Sequence, residues 1–360
     1  MKKKVCLFFE HFTSSNGVCR SALAISGVLS KNYDVTLMPL FRFDSSFQEM
    51  LPDGVHVLKV FGFYFRGFAK ILDLIPDQFL YKLIFKKHNF DLEIGFQKDM
   101  PIKIIAAGTS KTRKLAWMHG YDEGLLLRKQ YQSIGEVICV SKCNAIRLKN
   151  ELPSVTVDYC YNPIDDKKVV DLGKEDVDIP IGNRPLFITV GRHSQEKGYS
   201  RLLDIVNRLR NEGFLFSLWM IGEGPEYENN KQHSNKLQLE SVVTFLGNKI
   251  NPHKYTSKAD VFVCSSFSEG YSTACSESIM LGVPVITTKV SGAEEIINES
   301  QAGILCDLDD DSLYLAIKYV LENPSDITKW KNTISNTKYL FSQDTRANKL
   351  IKIIEDILAK

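Results

Sequence analysis

Short apolar runs recur along the chain, and the stretches between them carry apolar residues at helical spacing. In the first half the runs Val5–Phe9, Val35–Leu37, Val55–Val60, Leu92–Ile94, Lys114–Trp117 and Glu136–Val140 read as strands. In the second half Leu186–Val190, Phe214–Ile221, Val242–Leu246, Ala259–Cys264, Val283–Thr287 and Ala302–Leu305 do the same. The segment from Tyr199 to Asn211 puts Leu202, Val206 and Leu209 on one helical face, with Arg201, Asp204 and Arg208 assigned to the wet side. Strands that alternate with helices predict parallel sheets built from right-handed βαβ units. Twelve strands exceed one comfortable doubly wound sheet, so two sheets of about six are expected.

Length agrees, since 360 residues are too many for one ordinary core. The break is expected at Asn162-Pro163-Ile164-Asp165, where Pro163 favours an extended residue before it and a polar acidic segment follows. This divides the chain into 1–163, 164–342 and a terminal helix, 343–360. That helix carries Ala347, Leu350, Ile351, Ile354, Ile357 and Leu358 on one face and is expected to pack back on the first domain.

Charge is uneven. The net charge of +2 divides into +7 over residues 1–170 and −5 over residues 171–360, which directs attention to an anionic partner for the first half. No patterned basic stripe accompanies it, so nucleic acid is not expected. No apolar run is long enough to span a bilayer, and the start MKKKVCLFF lacks the long apolar region and cleavage site of a signal peptide. The eight cysteines show neither a disulfide framework nor zinc spacing; reduced, mostly buried thiols in a cytoplasmic protein are expected.

In a parallel sheet, ligands meet the loops beyond the carboxyl ends of the strands. After Val190 comes GRHSQEKG, in which Gly191 and Gly198 let backbone approach closely while Arg192 and Lys197 offer charged donors to phosphate oxygens. A solvated polar turn is the competing reading. After Cys264 comes SSFSEGYSTACSES, with Glu269 before Gly270 and Glu277 eight residues later. A helix starting near Ser272 would aim free amides around Tyr271, Ser272 and Thr273 at this loop. Ser272 as a plain cap and Glu277 on a wet face remain the alternative.

These stretches, followed by MLGVPVITTKVSGAEEII and AGILCD, resemble the second domain of the retaining glycosyltransferases of family 4, with the GT-B fold of two Rossmann-like domains facing a cleft. The resemblance runs from about Leu186 to Asp307 and is weak over the first half. It implies an acceptor-binding first domain and a donor-binding second domain. It gives Arg192 and Lys197 to the diphosphate of a nucleotide-sugar, Glu277 to the ribose hydroxyls, and Glu269 to a hydroxyl of the transferred sugar. Backbone near Gly270, Tyr271, Ser272 and Thr273 would bind sugar and phosphate, while the loops at Gly222 and Asn248 would border the nucleotide. In the first half, His119 at the end of a strand matches the family's histidine beside the donor sugar. Gly17 stands where a Gly-Gly pair is usual, with Asn16 in the other place; Asn tolerates left-handed backbone.

The activity implied is transfer of a hexose or N-acetylhexosamine, with UDP the preferred nucleotide, to a sugar hydroxyl of a glycan or lipid-linked acceptor. No cofactor is expected. Asp176-Val177-Asp178 and Asp309-Asp310-Asp311 end no apolar strand and read as solvated acids, so no metal requirement is anticipated either. A nucleotide-sugar epimerase or hydrolase of the same fold, and a non-catalytic sugar-nucleotide module, stay as alternatives. A dehydrogenase is disfavoured, because the loop from His11 to Gly17 lacks the Gly-x-Gly-x-x-Gly spacing. Residues 59–87 carry eight aromatics and six Lys or Arg against two Asp, a mixture that suits either a core helix with a wet edge or the face of an anionic membrane.

Overall fold

The computed structural model describes residues 2–13, 17–121 and 123–360. It separates into two compact units, one formed by Met1–Pro163 with Arg346–Lys360 and the other by Ile164–Thr345. Each unit is a parallel sheet with helices between its strands, the Rossmann-like plan that the βαβ pattern implies.

The first unit holds seven strands: β1 (Lys4–Phe12), β2 (Asp34–Phe43), β3 (Val55–Val57), β4 (Leu92–Gly95), β5 (Arg113–Met118), β6 (Glu136–Cys139) and β7 (Thr156–Tyr159). Their order is β3-β2-β1-β4-β5-β6-β7, so the winding reverses between β1 and β4. Val5, Cys6, Leu7, Phe8 and Phe9 in β1 are all fully buried, as expected of a central parallel strand covered on both faces. One acid interrupts this apolar layer. Glu93 of β4 is buried, and the Tyr81 hydroxyl donates to its carboxylate oxygens at 2.9 and 3.0 Å.

The second unit holds β8 (Leu186–Val190), β9 (Ser217–Ile221), β10 (Val243–Gly247), β11 (Val261–Cys264), β12 (Val285–Thr288) and β13 (Gly303–Cys306). The order β10-β9-β8-β11-β12-β13 places its reversal between β8 and β11. Phe187, Leu218, Val263 and Ile286 from four of these strands share one core with Leu202, Val206 and Leu209 of the helix Tyr199–Asn211.

Most strand bounds shift by a few residues, β2 the furthest because it runs on to Phe43 instead of ending at Leu37, and three differences have a plain physical reason. β7 is a thirteenth strand. Its residues Thr156, Val157, Asp158 and Tyr159 are exposed or half-buried, because β7 lies at a sheet edge, so no apolar run marks it. β9 starts at Ser217 instead of Phe214, since the Phe214 amide is used to close the preceding helix by donating to the Leu209 carbonyl at 3.3 Å. β3 ends at Val57, although the chain keeps following β2, with Val60 and Phe61 donating to Pro39 and Leu40 at 3.0 Å each.

The terminal helix Gln343–Ala359 buries Leu350, Ile354 and Ile357, and from Arg346 onward it belongs to the first unit. Lys349 Nζ lies 3.4 Å from the Asp158 carboxylate and 2.9 Å from the centre of the Tyr159 ring, both residues of β7. No helix among the described residues is long and apolar enough to cross a membrane. None of the eight cysteines forms a disulfide, and only Cys143 is exposed.

Candidate active site

The reversal between β8 and β11 places two loops side by side at the carboxyl ends of these strands, where an open α/β sheet receives its ligand. The loops are joined by backbone. The Phe267 amide donates to the Glu196 carbonyl at 2.7 Å, and Ser265 Oγ donates to the Lys197 carbonyl at 2.9 Å. Gly198 sits at φ +64°, and a Cβ there would lie 2.3 Å from the Ser265 carbonyl oxygen, so no other residue fits this crossing.

The side chains meet where the loops do. Lys197 Nζ donates to Glu269 Oε1 at 2.6 Å, and Ser266 Oγ donates to the same oxygen at 2.7 Å. Both members of the pair are largely shielded, at 24% and 12% side-chain exposure. Burial works to lower the Lys197 pKa, but the adjacent Glu269 carboxylate and its hydrogen bond outweigh that, and the net shift is upward. Lys197 is therefore a permanent cation at neutral pH. Arg192 is exposed in the same loop.

Behind the pair stands a residue that helical periodicity misassigned. Arg201 is buried, only 6% exposed, instead of solvated. Its guanidinium donates to the Ser265 carbonyl through Nε and Nη2 at 3.0 and 2.6 Å, and to Ser266 and Leu308 carbonyls at 3.0 and 2.5 Å. It also stacks on Phe267 at 3.8 Å. The carbonyls that end β11 have few other donors, and a planar fork satisfies several of them together. Residue spacing alone carries no signal for such a contact.

The helix Thr273–Met280 follows, capped by Ser272, whose Oγ accepts from the Cys275 amide at 3.3 Å. Its first amides open toward the loop that holds Gly270, a site suited to an anion. Tyr271 is buried against Gly292, where a Cβ would come within 2.6 Å of the ring. Glu277 lies one turn into the helix, its Oε2 3.9 Å from Nδ1 of His253 in the short helix His253–Thr256. His253 is a second residue that the sequence reading passed over.

Two further loops border these. A Cβ on Gly222, at φ +132°, would lie 1.9 Å from the Gly191 carbonyl oxygen. The Gly191 amide donates to Ile221 at 3.0 Å and the Gly222 amide to Gly247 at 2.8 Å, which stacks the loops after β8, β9 and β10. Asn248 is exposed beside Gly247. His193 is fully buried under these loops, and its Nδ1 accepts from Asn230 Nδ2 at 3.2 Å; burial depresses its pKa to about 4, so it is neutral.

Of the acidic pairs, Asp309 Oδ1 accepts from the Ser312 amide at 2.8 Å and caps the helix Asp310–Glu322. Asp178 is less free than expected, since the Tyr255 hydroxyl donates to it and Lys249 and Lys254 lie 3.8 and 3.9 Å away. Among the described residues no three His, Cys, Asp or Glu side chains cluster as a metal site.

The first unit has its own hollow of about 430 Å³ beyond β1, β4 and β5, lined among others by Glu10, His11, Gln97, Trp117 and His119. His119 packs on Phe96 with ring centres 4.6 Å apart, and its Nε2 is buried with no hydrogen-bond partner among the described residues. Burial lowers its pKa to about 3, opposed by a bond to the Phe96 backbone, so a neutral imidazole nitrogen is left to a ligand. Gly17 opens the helix Gly17–Ser30, with nothing among the described residues within 4 Å of where its Cβ would be. Ser15 and Asn16 lie outside the described residues.

Comparison with known proteins agrees with this fold. Residues 174–338 match the family model described as Glycosyl transferases group 1, which falls within the second unit. HepE of Anabaena, solved in complex with UDP and glucose, superposes with a TM-score of 0.75 over 98% of this chain and all of that one, at 16% identity. This fold is the GT-B architecture, two Rossmann-like units with all strands parallel. Among curated proteins, the lipopolysaccharide core biosynthesis glycosyltransferase LpsD of Rhizobium meliloti is 24% identical over 54% of this chain and 56% of its own length. The N-acetylgalactosamine-N,N'-diacetylbacillosaminyl-diphospho-undecaprenol 4-alpha-N-acetylgalactosaminyltransferase of Campylobacter jejuni is 28% identical over 55% of this chain and 51% of its own. The chain thus spans about half the length of these two relatives.

Proposed function

We propose that the chain is a retaining glycosyltransferase of family 4. It moves a hexose or N-acetylhexosamine from a nucleotide-sugar, UDP-linked by preference, to a sugar hydroxyl of a glycan or lipid-linked acceptor. The observation that carries this reading is the shielded Lys197–Glu269 pair at the switch point of the second sheet, set before the amino end of the helix Thr273–Met280. A fixed cation beside the amino end of a helix is what a departing diphosphate needs.

In this reading Lys197 and Arg192 neutralise the diphosphate, with the amides of Tyr271, Ser272 and Thr273 beside them. Glu277 holds the ribose, and Glu269 orients a hydroxyl of the sugar. Gly222, Asn248 and Gly270 line the nucleotide and sugar, and Gly17 and His119 are the first unit's contribution. The bond between the anomeric carbon and the phosphate oxygen breaks as the acceptor oxygen attacks the same face. The acceptor's proton passes to the leaving phosphate oxygen, and Glu269 is spared for binding. Lys197, Arg192 and the helix end supply the positive charge, so no divalent ion takes part.

Lys197→Ala and Glu269→Gln are expected to lower transfer about 10²–10³-fold while the protein still folds. Near-normal turnover in both, or turnover strictly dependent on a divalent ion, overturns the assignment. Release of product from nucleotide-sugar without acceptor would favour an epimerase or hydrolase instead, and UDP binding without any turnover a binding module.

The acceptor half is proposed to work at the cytoplasmic face of an anionic membrane. Phe63, Leu74 and Phe79 are 61%, 84% and 60% exposed, amid Lys70, Lys82, Lys86 and Lys87. Apolar side chains that insert beside lysines fit a lipid interface. Co-sedimentation with phosphatidylglycerol liposomes at low salt and release at high salt are expected; indifference to liposomes refutes this part.

A further inference from the structure

A second hollow in the first unit, of about 400 Å³, lies beyond the ends of β1 and β2 and is lined by residues for which the donor chemistry has no use. Its wall is aromatic, built by Phe41, Phe61, Phe63 and Tyr64. Phe41 stacks on Phe61 at 6.1 Å and meets Tyr64 at 5.1 Å, so the wall is a packed surface. Two cations, Arg42 and Lys59, face one acid, Asp44. Asp44 is engaged, accepting from the Ser46 amide at 3.1 Å as a helix cap. Arg42 rests over the Tyr64 ring at 4.6 Å, and among the described residues neither Arg42 nor Lys59 is ion-paired.

Next to the lining, His11 packs edge-on against Tyr64 at 4.7 Å, and His11 also lines the hollow that contains His119. Phe63 and Phe65 stack on Phe68 at 5.1 and 5.0 Å while staying 61% and 49% exposed. A ligand in the hollow would meet two cations and an aromatic wall that includes the exposed ring of Phe63.

We propose that this hollow binds the phosphate of an amphiphilic acceptor, the charged group held by Arg42 and Lys59 and the apolar chain leaving over Phe63 and Phe65. The inference rests on the glycosyltransferase reading and specifies its acceptor class: a phosphorylated lipid, not a free glycan. The phosphate is thereby anchored one residue, His11, away from the hollow in which the reacting hydroxyl would meet His119.

The probes are farnesyl diphosphate, inorganic diphosphate and farnesol, titrated calorimetrically against wild type, Arg42→Ala/Lys59→Ala and Phe63→Ser, with UDP titrated in parallel. Farnesyl diphosphate is expected to bind wild type better than either part alone. The double variant should lose about tenfold or more for both phosphates, as befits two charge-assisted contacts. Phe63→Ser should weaken only farnesyl diphosphate, and UDP affinity should not change in any variant. Unaltered farnesyl diphosphate binding in the double variant overturns the proposal, as does inorganic diphosphate binding equally well, or displacement of farnesyl diphosphate by UDP. If wild type binds farnesyl diphosphate here but never UDP, the nucleotide-sugar reading falls while the site stands; UDP binding without the lipid sinks the site alone.

Discussion

Replacing Arg201 by Met tests whether one buried guanidinium holds the loop that carries Glu269. The Met stem keeps contact with the Phe267 ring but has no donor for the carbonyls that Arg201 serves. The Ser266 carbonyl keeps another donor, Thr288 Oγ1 at 2.6 Å, whereas Ser265 loses both Arg201 bonds. Charge-assisted bonds contribute about 1.5–3 kcal/mol each, and leaving a buried acceptor bare adds about 1–3 kcal/mol. Allowing for relaxation, a loss of about 3–5 kcal/mol follows, which lowers the melting midpoint of a unit of this size by roughly 10 °C. Arg201→Lys should recover little, because an ammonium cannot fork to three carbonyls. Differential scanning calorimetry reads the effect, with Arg208→Met as comparison. Arg208 is 53% exposed on the same helix and bonds Asp311 at 3.0 Å, so its loss should leave the midpoint nearly unchanged. Equal midpoints for Arg201→Met and Arg208→Met would refute the reasoning.

Two other outcomes follow from buried groups and tight backbone. Burial raises the Glu93 pKa to about 7, with the Tyr81 bond and Lys114 acting against it. The folded state thus holds this proton more tightly than the unfolded chain, and the stability so gained is complete below the ordinary carboxylate pKa and is lost as pH rises through about 7. Urea midpoints measured from pH 5 to 8 should fall more steeply in wild type than in Glu93→Gln, which keeps a neutral side chain throughout; identical slopes would refute it. Gly222→Ala should destabilise by about 1–3 kcal/mol from backbone strain alone, with further cost from its contact with Gly191. An unchanged urea midpoint would show that these loops separate freely.

Much of the architecture could be read from hydrophobic periodicity, because a buried parallel strand must be apolar on both faces, as β1, β8 and β11 are. β7 escaped because an edge strand has no such need. Arg201 escaped for the opposite reason: helical spacing marks the face on which a side chain starts, and a long side chain can still turn inward to backbone carbonyls. The candidate site was legible as residue types, with Lys197 and Glu269 singled out separately. Their 2.6 Å contact depends on the order in which β8 and β11 pair, a long-range fact that no local window contains.

The first unit is discontinuous in sequence, and this sets an order of events on the ribosome. Residues 164–345 form the second unit from one unbroken stretch, so it can fold as it emerges. The first unit must wait for residues 346–360, although its strands appear first. At ordinary elongation rates of about 5–20 residues per second the wait is about 10–40 s. Throughout that interval the apolar groove later filled by Leu350, Ile354 and Ile357 has no cover, and nascent chains expose apolar surface to one another. Solubility during synthesis therefore depends on how soon residues 346–360 follow the strands they cover.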